Sequence, residues 1–105
     1  MSRWTLFLDD ERFPARGCED AIICRTSQEA ISEIVARGCP IQMLLDHDLG
    51  EGDDASSVFY PAFENLVLDG IIKIPPDFIF SVHSMNPVGS ANLRAKIERL
   101  LREFR

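Results

Sequence analysis

Two aspartates stand together at Asp9-Asp10, an Asp-His-Asp triplet fills Asp46, His47 and Asp48, and the chain's other histidine, His83, opens a segment that continues through Ser84 and Asn86. Each group comes directly after a short apolar run, at Trp4 to Leu8, Ile41 to Leu45 and Phe78 to Val82. Runs of that length and composition read as strands. If the strands are parallel, their carboxyl ends open on one edge of the sheet, where ligands of α/β proteins bind. Residues of three separate strands then meet in one place.

Taken singly, an aspartate at a strand end is an ordinary helix cap or loop residue. Three or four converging carboxylates are different, because they repel one another unless some are protonated or a hard divalent cation sits among them. Asp9, Asp10, Asp46 and Asp48 are the candidate ligands, and their oxygen donors favour magnesium or manganese. Zinc on His47 and His83 with carboxylates fits ligand chemistry, though nothing in the spacing requires it. An EF-hand beginning at Asp46 does not fit, since Gly50 lacks the third ligand and Glu51 stands where the glycine is needed.

Imidazole exchanges protons near neutrality, so His47 and His83 facing one phosphoryl centre would supply an acid and a base. A strand-end histidine is also a common hydrogen-bonding structural group. Asn86-Pro87 with Gly89 predicts a tight turn into a helix whose amino end offers N–H groups to an anion. Arg12 and Arg25 are candidate phosphate contacts, because guanidinium matches phosphate oxygens in pairs. Ser84 and Asn86 complete that set, and an ion pair to a site carboxylate explains Arg25 equally well.

The rest of the pattern supplies the elements that position these residues. Ala21 to Arg25 is a further strand, and Thr26-Ser27 with Glu29 begins a helix whose stripe is Ile31, Ile34 and Val35 and whose end is Gly38 before Pro40. Gly50 to Ser57 reads as a polar loop and Val58 to Leu68 as a helix with Pro61 in its first turn. Gly89 to Phe104 forms the last helix on Leu93, Ile97, Leu100, Leu101 and Phe104. Strands alternating with helices predict a mostly parallel four-stranded sheet layered with helices, in one domain over residues 1–105.

Composition narrows the partners. The 105 residues are 46% apolar and 27% charged, the balance of a folded chain. A net charge of -6 repels an extended phosphate backbone, so no extended nucleic-acid clamp is expected, while a small phosphorylated substrate or an RNA end remains compatible if local cations outweigh the mean field. Cys18, Cys24 and Cys39 form no C-x-x-C pair and read as buried free thiols. With no apolar leader segment and no membrane-spanning run, the expected location is cytoplasmic and no membrane partner is expected.

Asp9-Asp10 and Asp46 resemble the acidic pocket of two-component receiver domains, and Ser84 sits where receivers carry a hydroxyl after their fourth strand. L-F-L-D-D-E-R-x-P (Leu6 to Pro14), R-T (Arg25-Thr26), D-H-D-L-G (Asp46 to Gly50) and H-S-x-N-P-x-G (His83 to Gly89) resemble more closely the cyclic-phosphate processing receiver family. The resemblance implies a small receiver-like, flavodoxin-like three-layer α/β sandwich, reduced relative to a full receiver. It also implies a metal-assisted site with two added histidines that hydrolyses a cyclic phosphate, such as an RNA 2′,3′-cyclic end or a cyclic nucleotide. The chain departs from an ordinary receiver in lacking a helix between strands 1 and 2, a fifth strand and the lysine beyond it. The alternative is a non-catalytic receiver-like module that accepts a phosphoryl group on Asp46 or binds a nucleotide.

Overall fold

The computed structural model describes residues 3–104. Four short strands, β1 (Thr5–Leu8), β2 (Ile22–Cys24), β3 (Gln42–Leu45) and β4 (Ile79–Val82), form one sheet in the order β2-β1-β3-β4. Every pairing is parallel, so the sheet is fully and not just mostly parallel. The chain between β1 and β2 carries no helix, as the loop residues Pro14 and Gly17 predict.

Helix α1 (Ser27–Arg37) begins where the sequence places it: the Thr26 side chain accepts from the Glu29 amide. It stops at Gly38, whose φ of 88° few other residues adopt, and the Gly38 amide closes on the Ile34 carbonyl. The next helical segment departs from expectation. It starts at Ala55, three residues before Val58, as a π-helical turn (Ala55–Phe59) that passes into α2 (Tyr60–Leu68). The Asp54 side chain caps it by accepting from the Ser57 amide. Pro61 explains an oddity of this turn: it has no N–H to offer the Ser56 carbonyl five residues earlier. Lys96 supplies the donor, with Nζ 3.1 Å from that carbonyl and 2.9 Å from Ser56 Oγ.

Helix α3 (Pro87–Phe104) starts two residues before Gly89, with Pro87 in its first turn. It packs against β4, α2 and the π turn, while α1 packs on β1, β2 and the same turn. The helices therefore share one face of the sheet, as right-handed crossovers β2-α1-β3 and β3-α2-β4 running in one direction require.

The register confirms which side chains that face uses. Leu6, Leu8, Cys24, Met43 and Leu45 are buried there with Phe59, Phe63, Leu93 and Ile97 from the helical layer. On the opposite face Ile23 and Ile79 are exposed and Thr5, Gln42 and Leu44 half-buried, while Phe7 is buried against the His83 ring. The all-parallel four-stranded sheet with three helices is the reduced receiver-like, flavodoxin-like α/β fold that the sequence predicts; with no helix between β1 and β2 and no fifth strand, no helix among the described residues covers that face. The cysteines are likewise not all buried: the three thiols are free, Cys24 is buried, and Cys18 and Cys39 are half-buried. No described helix is long and apolar enough to cross a membrane.

Candidate functional site

The parallel ladder continues one hydrogen bond past the ends of β1, β3 and β4, and these extra bonds fix the backbone of the reactive residues. The Asp9 amide donates to the Cys24 carbonyl at 3.1 Å, Asp46 to Leu8 at 2.8 Å and His83 to Leu45 at 2.8 Å. Asp9, Asp46 and His83 are thus held by the sheet and not by flexible loops.

Asp9 has no exposed surface. Its Oδ1 accepts from the amides of Glu11 at 3.0 Å and Arg12 at 2.9 Å, and its Oδ2 lies 3.0 Å from His83 Nε2. Burial raises its pKa, but the Arg12 and Glu11 amides and His83 together outweigh burial and hold Asp9 below the usual 3.8. Since Asp9 is ionised, the shared hydrogen belongs to Nε2. Phe7 stacks on the His83 ring at 5.4 Å between centroids and fixes its plane.

Asp46 shifts the other way. Burial and the negative charge of Asp9 push it above 3.8, with the Asp48 amide, His83 and Arg12 opposing. Asp9, Asp10 and Asp46 each present an oxygen within 4.8 Å of the others, two of the residues buried and Asp10 exposed. Three clustered carboxylates, with Asp46 destabilised by burial and by Asp9, offer the hard oxygen donors that a divalent cation of the magnesium or manganese kind takes.

Asp48 stands apart from that trio. Its Oδ1 lies 2.9 Å from His47 Nδ1, and His47 above all, with Asn86 and Ser84, holds it below 3.8 against the opposing effect of burial. The sequence grouped it with the metal ligands; the fold turns it toward His47 and α3.

His47 is enclosed, with its side chain only 12% exposed and Nε2 3.7 Å from Asp54 Oδ1. One side of the ring rests on Gly89, where a Cβ would come within 2.7 Å of Cε1 and Nε2. Position 89 therefore has room only for glycine. The polar loop after His47 is closed by an antiparallel bridge between Asp48 and Asp54. Asp53 ties that loop to α1, accepting from the Ser27 amide at 2.9 Å and from Ser27 Oγ at 2.6 Å.

A cavity of about 400 Å³ opens above the strand ends. Asp10, Asp46 and Asp48 line it together with Arg12 and Ser84, and Glu11, Gly50 and Met85 complete the wall. Neither histidine is part of the lining; each stands one hydrogen bond behind a carboxylate. Arg25 is also placed elsewhere: its Nη1 donates to the carbonyls of Asp9, at 3.0 Å, and Arg12, and its guanidinium covers Phe13, so it braces the loop after β1. Asn86 caps α3, its Oδ1 accepting from the Gly89 amide at 2.9 Å, while the Asn86 backbone N–H donates to Ser84 Oγ. A larger cavity of about 670 Å³, by Cys39, Ile41 and Pro75, holds none of the reactive residues beyond the strand ends.

Sequence reasoning missed Asp53, Asp54 and Glu11 as parts of the site, and gave Gly89 only to the turn. Acidic residues in a polar loop carry no signal that separates a solvated side chain from one that holds a helix start. The thiols take no part: burial pushes Cys24 to about 11 and Cys39 to about 12.

Compared with known proteins, residues 4–99 match the family described as the cyclic-phosphate processing receiver domain, and the chain belongs to that family. No curated protein and no solved structure matches it.

Proposed function

For this cyclic-phosphate processing receiver domain, we propose a phosphoesterase that opens a cyclic phosphodiester, an RNA 2′,3′-cyclic end or a cyclic nucleotide, by attack of water. The observation that carries this reading is the cluster of Asp9, Asp10 and Asp46 oxygens, with Asp10 and Asp46 opening on a cavity that also presents Arg12 and Ser84 and Asp9 buried directly behind them. A hydrolase built on carboxylates alone would repel its anionic substrate. Magnesium or manganese held by Asp9, Asp10 and Asp46 would supply the positive charge that polarises phosphoryl oxygens.

The chain's own groups do the rest. Arg12 and Ser84 offer N–H and O–H donors to the non-bridging oxygens from the wall. As water joins phosphorus and one ring P–O bond breaks, the proton that water loses must reach the departing oxygen. His83 is assigned as the proton carrier: its side chain is 31% exposed, the next residue, Ser84, lines the cavity, and with Nε2 engaged by Asp9 the proton is exchanged at Nδ1. His47, enclosed by Asp48, Asp54 and Gly89, acts as a positioning residue that holds Asp48 against the cavity. The free thiols are in keeping with the reducing cytoplasm.

The test is hydrolysis of a panel of 2′,3′-cyclic nucleotides and cyclic-ended oligonucleotides with and without Mg²⁺ or Mn²⁺. Metal-dependent ring opening lost in His83→Ala supports the reading. No turnover, with stable phosphorylation of Asp46 by acetyl phosphate seen as added mass, would instead make the domain a phosphoacceptor.

A further inference from the structure

The acidic mean charge hides a sharp segregation. Residues 87–105 carry five basic and two acidic side chains, while residues 1–86 carry six basic and fifteen acidic. On α3 the positive charge gathers around a hollow of about 380 Å³, where Lys96, Arg99 and Arg102 stand over Ser56, Asn92 and Ala95.

A charged helix face is usually just solvated, so the state of these cations matters. Glu98 lies four residues before Arg102 and Glu103 four after Arg99, the spacing at which helical ion pairs form. Yet among the described residues neither arginine has a carboxylate within 4.0 Å. Lys96 is immobilised by its two bonds to Ser56 and by the Tyr60 ring 5.9 Å away. The hollow is thus rimmed by one fixed and two unpaired cations.

Its position gives it a use. Val88, Asn92, Ala95, Arg99 and Arg102 succeed one another at intervals of four and three residues, and so form one stripe along α3. The stripe begins in the helical turn that carries Gly89 against His47 and runs about 20 Å away from the acidic cavity, at 1.5 Å per residue. A cyclic phosphate at the end of a polynucleotide brings further phosphates that the carboxylates beside the cavity repel. The hollow along that stripe, with Lys96, Arg99 and Arg102, offers those phosphates a positive surface on α3.

We propose that the Lys96, Arg99 and Arg102 groove on α3 binds the phosphate backbone of a single-stranded nucleic acid whose cyclic-phosphate end occupies the acidic cavity. The inference rests on the proposed hydrolysis for the identity of that end, and it selects polynucleotide ends over free cyclic nucleotides as substrate.

The experiment compares wild type with the double variant Arg99→Ser/Arg102→Ser; Lys96 is kept because it supports the π turn. Binding of a fluorescein-labelled RNA of roughly eight nucleotides ending in a 2′,3′-cyclic phosphate is read by anisotropy across a salt series, and hydrolysis of that RNA and of a cyclic mononucleotide is measured in parallel. Circular dichroism checks that both proteins are equally folded. The expected result is about tenfold weaker RNA binding in the variant, with the log–log salt slope shallower by about 0.7 for each phosphate contact removed, and unchanged hydrolysis of the mononucleotide. Equal RNA binding by both proteins overturns the groove, as does competition by a poly-glutamate peptide as strong as by unlabelled RNA, which would point to an acidic protein partner. Turnover of the mononucleotide with no binding of the RNA overturns the groove and leaves the hydrolase reading intact. Salt-dependent RNA binding lost in the variant, without turnover of either substrate, supports the groove and removes the hydrolase.

Discussion

His83 Nε2 lies 3.0 Å from Oδ2 of Asp9, a fully buried carboxylate whose other oxygen is already taken by two backbone amides. The pair joins the ends of β1 and β4, two strands that are not neighbours in the sheet, across the end of β3 that carries Asp46. It fixes the histidine by charge on one side and by the Phe7 ring on the other.

Replacing His83 with alanine therefore has two consequences. Hydrolysis falls by about 10²-fold or more, the usual worth of a positioned proton carrier. Asp9 also loses its side-chain partner while remaining buried, which costs about 1–3 kcal/mol. Denaturant unfolding beside steady-state kinetics reads both effects.

Asp46 and Asp9 respond oppositely to pH. Asp9 is held below 3.8, so its contribution to stability is full above 3.8 and is lost as pH falls through its folded value. Asp46 is held above 3.8, so its contribution is full below 3.8 and is lost as pH rises through its folded value. Near neutrality Asp46 is a net burden on the metal-free protein. Asp46→Asn should raise the melting temperature there by roughly 5 °C, equivalent to about 1 kcal/mol, and the gain should shrink as pH is lowered toward 3.8. Thermal melts across that range decide it; a variant less stable at neutral pH would contradict the repulsion between Asp46 and Asp9.

Magnesium or manganese in excess should stabilise the wild type by mass action, about 2.7 kcal/mol at a hundredfold excess over Kd. Asp10 is the exposed member of the carboxylate trio, so Asp10→Asn removes a ligand with little disturbance of the core. The expected outcome is an unchanged metal-free melting temperature and a much smaller metal-induced rise, read by calorimetry.

Gly89→Ala would drive a methyl group into the His47 ring, and either the ring or α3 must move. Overpacking of this kind costs about 1–3 kcal/mol. Displacement of His47 releases Asp48 from the hydrogen bond that most lowers its pKa. An altered His47 imidazole resonance with reduced hydrolysis is expected, whereas His47→Ala in the Gly89→Ala background should recover most of the lost stability because the clash is gone.

Much of the arrangement was legible in the residues themselves. The apolar runs before Asp9, Asp46 and His83 determine that these three lie at strand ends, and the carboxyl ends of parallel strands all open on a single edge of the sheet. The Thr26 cap, the Gly38 stop and the buried Leu93, Ile97, Leu100 and Leu101 of α3 are local, and rules of capping and periodicity were enough to place them, whereas Val35 and Phe104, expected on the apolar stripes, are exposed.

The features beyond that reach depend on contacts distant in sequence. At the π turn, the Ser56 carbonyl that Pro61 leaves without a donor is satisfied by Lys96, 40 residues away. The two-layer build depends on which face each crossover helix takes, which residue types alone do not state. The sequence also treated Asp9, Asp10, Asp46 and Asp48 as one set and the histidines as a facing pair. Only the tertiary structure separated them, placing Asp46 beside Asp9 and turning Asp48 toward His47, because a side chain's partner is chosen by the groups that pack over it and not by its neighbours in the chain.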